Sequence, residues 1–307
     1  MVFLYRTVTI SGTLPDKEGV SAGMAEISTF LQDVGWNLID DRSAEPATGT
    51  PATHMKYVFS STGEQGQYPT FFLTLFSGTG GTTANLDVMG HQVHTAYDVG
   101  AHDVPSSGVV SDTFMGYVSN SLTIESQSEN MHLYMSGDSE MVHIVSRKQI
   151  TNNSTTMDNI MVGRFNSFLS IDESPYPLIA HGGTSTIVTA QTSARGIGGN
   201  PPQAFDANSE MLTLAALVLT NQTPYNIGAA DSIFIATPLL VVYTDASPLR
   251  KDVAGTIRNG WRGTTPTTAN MLNLSFMTAS GTFGEQIYQS FTRADNGTIP
   301  SLILRVS

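Results

Sequence analysis

"MHLYMSGDSEMVHIV", residues 131–145, decides the fold class. It reads as two short strands joined by a tight turn. With Gly137 and Asp138 as the central turn residues, glycine at the first position fits a type II′ hairpin. Counting outward then sets His132 opposite His143, with Cβ atoms about 4.5–5.5 Å apart.

The same pattern extends along the chain. Residues 3–10, "MKYVFSST", "TFFLTLFSG", "MGYVSNSLTIES" and "SIFIATPLLVVYT" read as strands. "TMDNIMVGRFNSFLSI" (156–171) reads as a strand in preference to a short helix. Asn296-Gly297 is the strongest turn signal and predicts a last hairpin between "EQIYQSFTRA" and "SLILRVS". One segment differs: Met24, Ile27, Phe30, Leu31 and Val34 recur at helical spacing, with Gly35 placed as C-cap. Roughly a dozen strands and one helix result. The expected fold is mainly β, a β-sandwich or barrel-like sheets with one N-terminal amphipathic helix packed on a sheet.

"TSARGIGGNPPQAFDAN" (192–208) resists both helix and strand. It divides the chain into an N-terminal β-rich domain with the helix, 1–195, and a C-terminal β-rich domain, 204–307; one compact unit is the alternative.

Charged residues are 13% of the chain, about half the usual share. That suits a β-rich protein whose surface is covered by neighbours. The net charge of −12 and the 14 scattered basic residues argue against sequence-specific nucleic-acid binding. An acidic wall would still let DNA pass without sticking. There is no cysteine, hence no disulfide, zinc-thiolate site or thiol nucleophile. "MVFLYRTVTISGTL" does not read as a signal peptide, and no apolar run is long enough for a membrane helix.

The histidines are the candidate ligands. His91 and His94 are three apart, so on a strand they point to opposite faces. His132 and His143 have the better geometry but need a third ligand for a catalytic zinc. His102 with Asp98 and Asp103 could supply the further ligands. The reading adopted is packing or exposed histidines with no metal and no cofactor; His132, His143, His91 and His94 are the residues a metal would use. "SGTGGTT" (77–83) lacks the lysine of a phosphate loop, and "RGIGGN" lacks the strand–turn–helix frame of a dinucleotide site. Asp40-Asp41 reads as a solvated strand end, and "GDSE" (137–140) as a turn with too few oxygens for calcium. No catalytic constellation is visible, so a non-enzyme is expected.

Several stretches together resemble a family of virion structural proteins of tailed bacteriophages, associated with the neck or tail. They are "FLQDVGWNLIDD" (30–41), "YVFSSTGEQG" (57–66), "MVHIVSRK" (141–148), "MVGRFNSF" (161–168) and "SPYPLIAHGG" (174–183). "GTIRNGW" (255–261), "GEQIYQSFTR" (284–293) and "SLILRVS" (301–307) continue the likeness. Where the family often carries two aromatics, this chain has "AYDVGAHD" (96–103). The resemblance implies a non-enzymatic part of the particle, whether neck or collar, tail or baseplate, or head decoration; closed symmetry being the common solution for homo-oligomers, the expected form is a symmetric ring at the neck–tail axis. Its partners would be copies of itself and other virion proteins, with passive DNA contact and no membrane. The expected location is the virion, after synthesis in the host cytoplasm. The competing classes are a baseplate- or head-associated adhesin using Tyr97, Trp261 and Tyr288 against a glycan, and a particle-borne hydrolase.

Overall fold

The computed structural model describes residues 2–11, 16–44, 53–61, 68–79, 87–105, 116–118, 130–148, 157–168, 177–184, 203–205, 211–213, 235–244, 251–264, 276–279, 286–291 and 301–307. In chain order these form β1 (Leu4–Ile10), α1 (Asp16–Asp33), β2 (Asn37–Asp41), β3 (Thr53–Ser61), β4 (Phe71–Thr79) and β5 (Asp87–His94). Next come β6 (Gly116–Val118), β7 (Met131–Gly137), β8 (Met141–Lys148), β9 (Met157–Arg164), β10 (Asn166–Ser167) and β11 (Leu178–Thr184). The last are β12 (Gln203–Phe205), β13 (Met211–Thr213), β14 (Ile235–Thr244), β15 (Lys251–Thr264), β16 (Phe276–Ala279), β17 (Gln286–Phe291) and β18 (Ser301–Arg305). The protein is mainly β, with one helix among the described residues.

The described strands form three antiparallel sheets. A seven-stranded sheet runs β1-β7-β8-β9-β11-β12-β13. A five-stranded sheet runs β2-β3-β4-β5-β6. A C-terminal sheet runs β10-β15-β18-β17-β16, with β14 also on β15. None closes into a barrel among the described residues. Pairing crosses the 195/204 line both ways: β12 joins β11, and β10 joins β15.

The seven-stranded sheet is buried on both faces near its centre. On one face Leu133, Met135, Val142, Ile144, Ile160 and Val162 meet the helix and the five-stranded sheet in one apolar cluster. On the other face Tyr134 packs edge-on to Phe291 of β17, with ring centroids 5.2 Å apart. Ser136 Oγ donates to Arg305 O of β18 at 2.8 Å, and Tyr5 Oη donates to Gln289 Oε1 of β17. This is why 131–145 carries apolar residues without strict alternation: a strand covered on both sides needs no solvent face.

Helix α1 forms where the spacing requires. Val20, Met24, Ile27, Phe30, Leu31 and Val34 are all buried. The helix packs on β1 and β7 of one sheet and on β2, β4 and β5 of the other. Arg6 of β1 pairs with Asp33 and stands over the Phe30 ring. The helix ends in a Schellman motif: Trp36 N donates to Leu31 O at 2.9 Å and Gly35 N to Gln32 O at 3.0 Å. Gly35 has φ +97°, as that motif demands.

The 131–148 hairpin forms, in a different register from the expected one. Gly137 pairs with Val142, Ser136 with His143, and His132 with Arg147. The turn centres are Ser139 and Glu140, two residues later than Gly137-Asp138. Asp138 supplies the cause: its Oδ1 accepts from Glu140 N at 2.8 Å and Met141 N at 3.0 Å. An aspartate at the first turn position with such bonds fixes the turn that follows it. The C-terminal hairpin matches its expectation in pairing. Tyr288↔Arg305 and Phe291↔Leu302 are symmetric about Asn296-Gly297, which lie outside the described residues. So do "RGIGGN" and most of "SGTGGTT".

Candidate functional site

The corrected register dissolves the paired-histidine geometry. His132 and His143 lie on one face but four residues apart along the ladder, on the order of 13 Å. His132 Nδ1 shares a hydrogen bond with Thr9 Oγ1 across β1, 3.0 Å. His143 is 1% exposed and faces the C-terminal sheet. Its Nε2 donates to Arg258 O at 2.6 Å. A carbonyl only accepts, so this fixes the neutral tautomer and leaves Nδ1 a buried atom with no partner.

His91 and His94 lie on opposite faces of β5, as their spacing requires. His91 pairs with Leu75 on the core face, and His94 with Phe72 on the outer face. Both are buried. His94 Nε2 and Thr74 Oγ1 share a hydrogen bond of 2.8 Å. Among the described residues no three His, Cys, Asp or Glu side chains converge as metal ligands.

Two polar assemblies emerge instead. The first is the turn Asp138–Glu140, which ties all three sheets together. From the five-stranded side, Trp36 Nε1 donates to Asp138 O at 3.0 Å and Ser61 Oγ to Ser139 O at 2.6 Å. From β9, Arg164 N donates to Glu140 O at 2.7 Å, and Arg164 NH1 to Glu140 Oε2 at 3.0 Å. From the C-terminal sheet, Asn259 Nδ2 donates to Asp138 Oδ2 at 3.0 Å. Arg164 also donates to Pro69 O and lies over the Phe71 ring, 4.6 Å from its centroid. The backbone of β9 approaches the turn so closely that a Cβ on Gly163 would sit 2.1 Å from Glu140 O. "GDSE" is thus a structural tie with its carboxylates turned inward.

The second assembly lies on the outer face of the five-stranded sheet. Asp40 is buried there, which corrects the solvated reading of Asp40-Asp41. Its Oδ2 accepts from Tyr97 Oη at 2.7 Å and His102 Nδ1 at 2.9 Å. Burial pushes the Asp40 carboxyl up, but bonds from His102 and Tyr97 and the charges of His102 and Lys56 hold it below the ordinary carboxylate value. Burial and the Asp40 carboxylate together push the Tyr97 hydroxyl up, so it remains a donor. Lys56 Nζ donates to His102 O at 2.9 Å and stands 5.3 Å from the Tyr97 ring centroid. Asp98 and Asp103, the further donors read from sequence, are occupied locally. Asp98 Oδ1 accepts from Gly100 N and Ala101 N, and Asp103 Oδ1 from Val104 N.

Of the aromatics read as glycan contacts, Tyr97 belongs to this assembly, Tyr288 lies on β17, and Trp261 lies on β15. Sequence reasoning missed Asp40, Asp138, Glu140 and Arg164 as interaction centres. No short motif marks them, since the side chains that bond to them lie 24 to 121 residues away.

No protein-family model and no curated protein matches the chain.

The buried histidines predict an acid response. Burial lowers His143 to about 4, against the raising effect of Arg258 O and Asp138. Burial likewise lowers His94 to about 4. Both take a proton at the ordinary 6.5 when unfolded. Their contribution is therefore complete above pH 6.5 and is lost as the pH falls towards 4. Each should cost about 2 kcal/mol between pH 7 and 4.5. His143→Gln keeps a donor for Arg258 O but does not titrate. Urea unfolding at the two pH values should show that much less acid loss than in the parent protein. An identical loss in both would refute the assignment.

Proposed function

We propose that the chain is a non-enzymatic structural subunit of a tailed-phage particle, assembling with copies of itself into a symmetric ring at the neck–tail axis. One observation carries the reading. The separate stretches behind the virion-protein resemblance converge on one buried turn. Trp36 of "FLQDVGWNLIDD", Ser61 of "YVFSSTGEQG", Arg164 of "MVGRFNSF" and Asn259 of "GTIRNGW" all bond to Asp138–Glu140, directly before "MVHIVSRK". Pro177 of "SPYPLIAHGG" joins through its carbonyl, which accepts from Phe165 N at 3.0 Å. Short motifs scattered over more than two hundred residues thus act as parts of one structural knot. That supports a scaffold whose sequence is constrained by its architecture.

Few charges and many strands suit a subunit that buries surface on assembly, and closed symmetry is the common solution for such subunits. The net charge of −12 suits a ring through which DNA slides. Negative-stain electron microscopy of the purified chain, with native mass, tests the proposal. A ring of six, or of a multiple of three or six, is expected. A monomer that binds glycans, or one that turns over polysaccharide and loses this on a single carboxylate change, would overturn it.

A further inference from the structure

The segment after β5, residues 95–105, does not leave the five-stranded sheet. It folds back across the sheet's outer face. It is braced within itself: Asp98 and Asp103 exchange backbone hydrogen bonds of 2.8 and 3.2 Å, and Asp98 Oδ1 caps the turn between them. His102 holds a left-handed conformation, φ +54°, that few side-chain-bearing residues adopt. Three contacts latch the segment down. Tyr97 and His102 both donate to the single oxygen Asp40 Oδ2 on β2, and Lys56 of β3 donates to His102 O. Outside the latch, residues 98–103 are exposed.

Beneath the strap the Tyr97 ring lies 6.4 Å from the Phe72 ring and 6.4 Å from the His94 ring. His94 is 1% exposed, and its Nδ1 is buried with no hydrogen-bond partner. A proton on Nδ1 would make a donor with no acceptor, in a site that excludes water.

We propose that residues 95–105 form an acid-releasable strap: closed near neutral pH, and opened when His94 takes a proton, which uncovers the outer face of the five-stranded sheet around Phe72, Thr74 and His94.

The groups facing His94 set the sign. Lys56 on β3 opposes its protonation, and Asp103 on the strap favours it, while burial outweighs both. Arg42 and Asp40 lie beyond Tyr97, on the β2 side. The latch itself does not release in acid first, because the Asp40 carboxyl that holds Tyr97 and His102 is kept below the ordinary carboxylate value. The lever is therefore His94. Closed, it sits at about 4; solvated in the open form, it returns to the ordinary 6.5. Linkage then makes the open-to-closed ratio about twenty-fold larger at pH 5 than at pH 7.

Amide hydrogen exchange of the full chain, corrected for intrinsic rates, tests this. In the parent protein the amides of 97–104 should exchange about twenty-fold faster at pH 5 than at pH 7. Amides of β7 and β8 should stay protected at both, which separates strap opening from global unfolding. His94→Gln should abolish the pH dependence of the strap. Asp40→Asn, which keeps the shape of the latch and removes its charge, should speed strap exchange roughly tenfold at both pH values and keep the acid response. Equal corrected exchange at the two pH values in the parent protein would overturn the proposal. So would an acid response of the strap that survives in His94→Gln.

Discussion

Replacing Arg164 with methionine is expected to lower the unfolding free energy by about 3–5 kcal/mol, the range for breaking a buried ion pair from one side. The Arg164 side chain is 1% exposed and that of Glu140 is 3%. Methionine fills much of the aliphatic volume but leaves the Glu140 carboxylate in the interior without its cation. Pro69 O loses a charged donor as well, and Phe71 loses the cation over its ring. The double variant Arg164→Met/Glu140→Gln removes the stranded charge and should be more stable than Arg164→Met alone. Denaturant unfolding of the two single variants and the double gives the coupling directly. Simple additivity would mean that the pair is not coupled, contrary to the 3.0 Å contact.

The effect is large because of where the turn sits. Apolar burial draws three sheets together but carries no direction of its own. The bonds to Asp138, Ser139 and Glu140 do have direction. They come from β3, β9 and β15, and from Trp36 between α1 and β2. One hairpin tip therefore selects how the three sheets stack.

Much of this architecture was legible in local patterns, and the failures share a cause. Helix α1 could be read because five apolar positions repeat at its own period and Gly35 punctuates its end. The β17–β18 hairpin could be read because Asn-Gly specifies its turn within two residues. The 131–148 hairpin was legible as a hairpin but not in register. By its conformational freedom Gly137 reads as a turn residue. In the fold it is a place of close approach, where a Cβ would come within 2.5 Å of Met141 O. The turn is set by the Asp138 side chain instead. Asp40 shows the same limit more strongly. At the end of a short strand beside another aspartate it has every local mark of a solvated group. Its burial is decided by Tyr97 and His102, 57 and 62 residues away. A carboxylate's environment is a property of what folds over it, and no pattern of neighbours in sequence carries that.

Trp36 offers the second large effect, because it joins the apolar core to the polar knot. It is 2% exposed, follows the helix cap, and meets Phe71 edge-on with ring centroids 5.2 Å apart. Its Nε1 donates to Asp138 O. Trp36→Ala should cost about 3–5 kcal/mol, from lost burial and the cavity left behind. Trp36→Phe separates the two roles: it keeps most of the ring contact and loses the donor. A cost of about 1–2 kcal/mol is expected, the size of one buried hydrogen bond with its acceptor stranded. Combining Trp36→Phe with Asn259→Ala tests whether the turn is one cooperative unit. Trp36 and Asn259 bond to different atoms of Asp138 from opposite sides of the seven-stranded sheet. If the turn locks the three sheets together, releasing one side loosens the other, and the double variant should be more stable than the sum of its parts predicts. Strict additivity in chemical unfolding would show two independent anchors, and the hairpin tip would then be a convenient acceptor rather than the tie between the sheets.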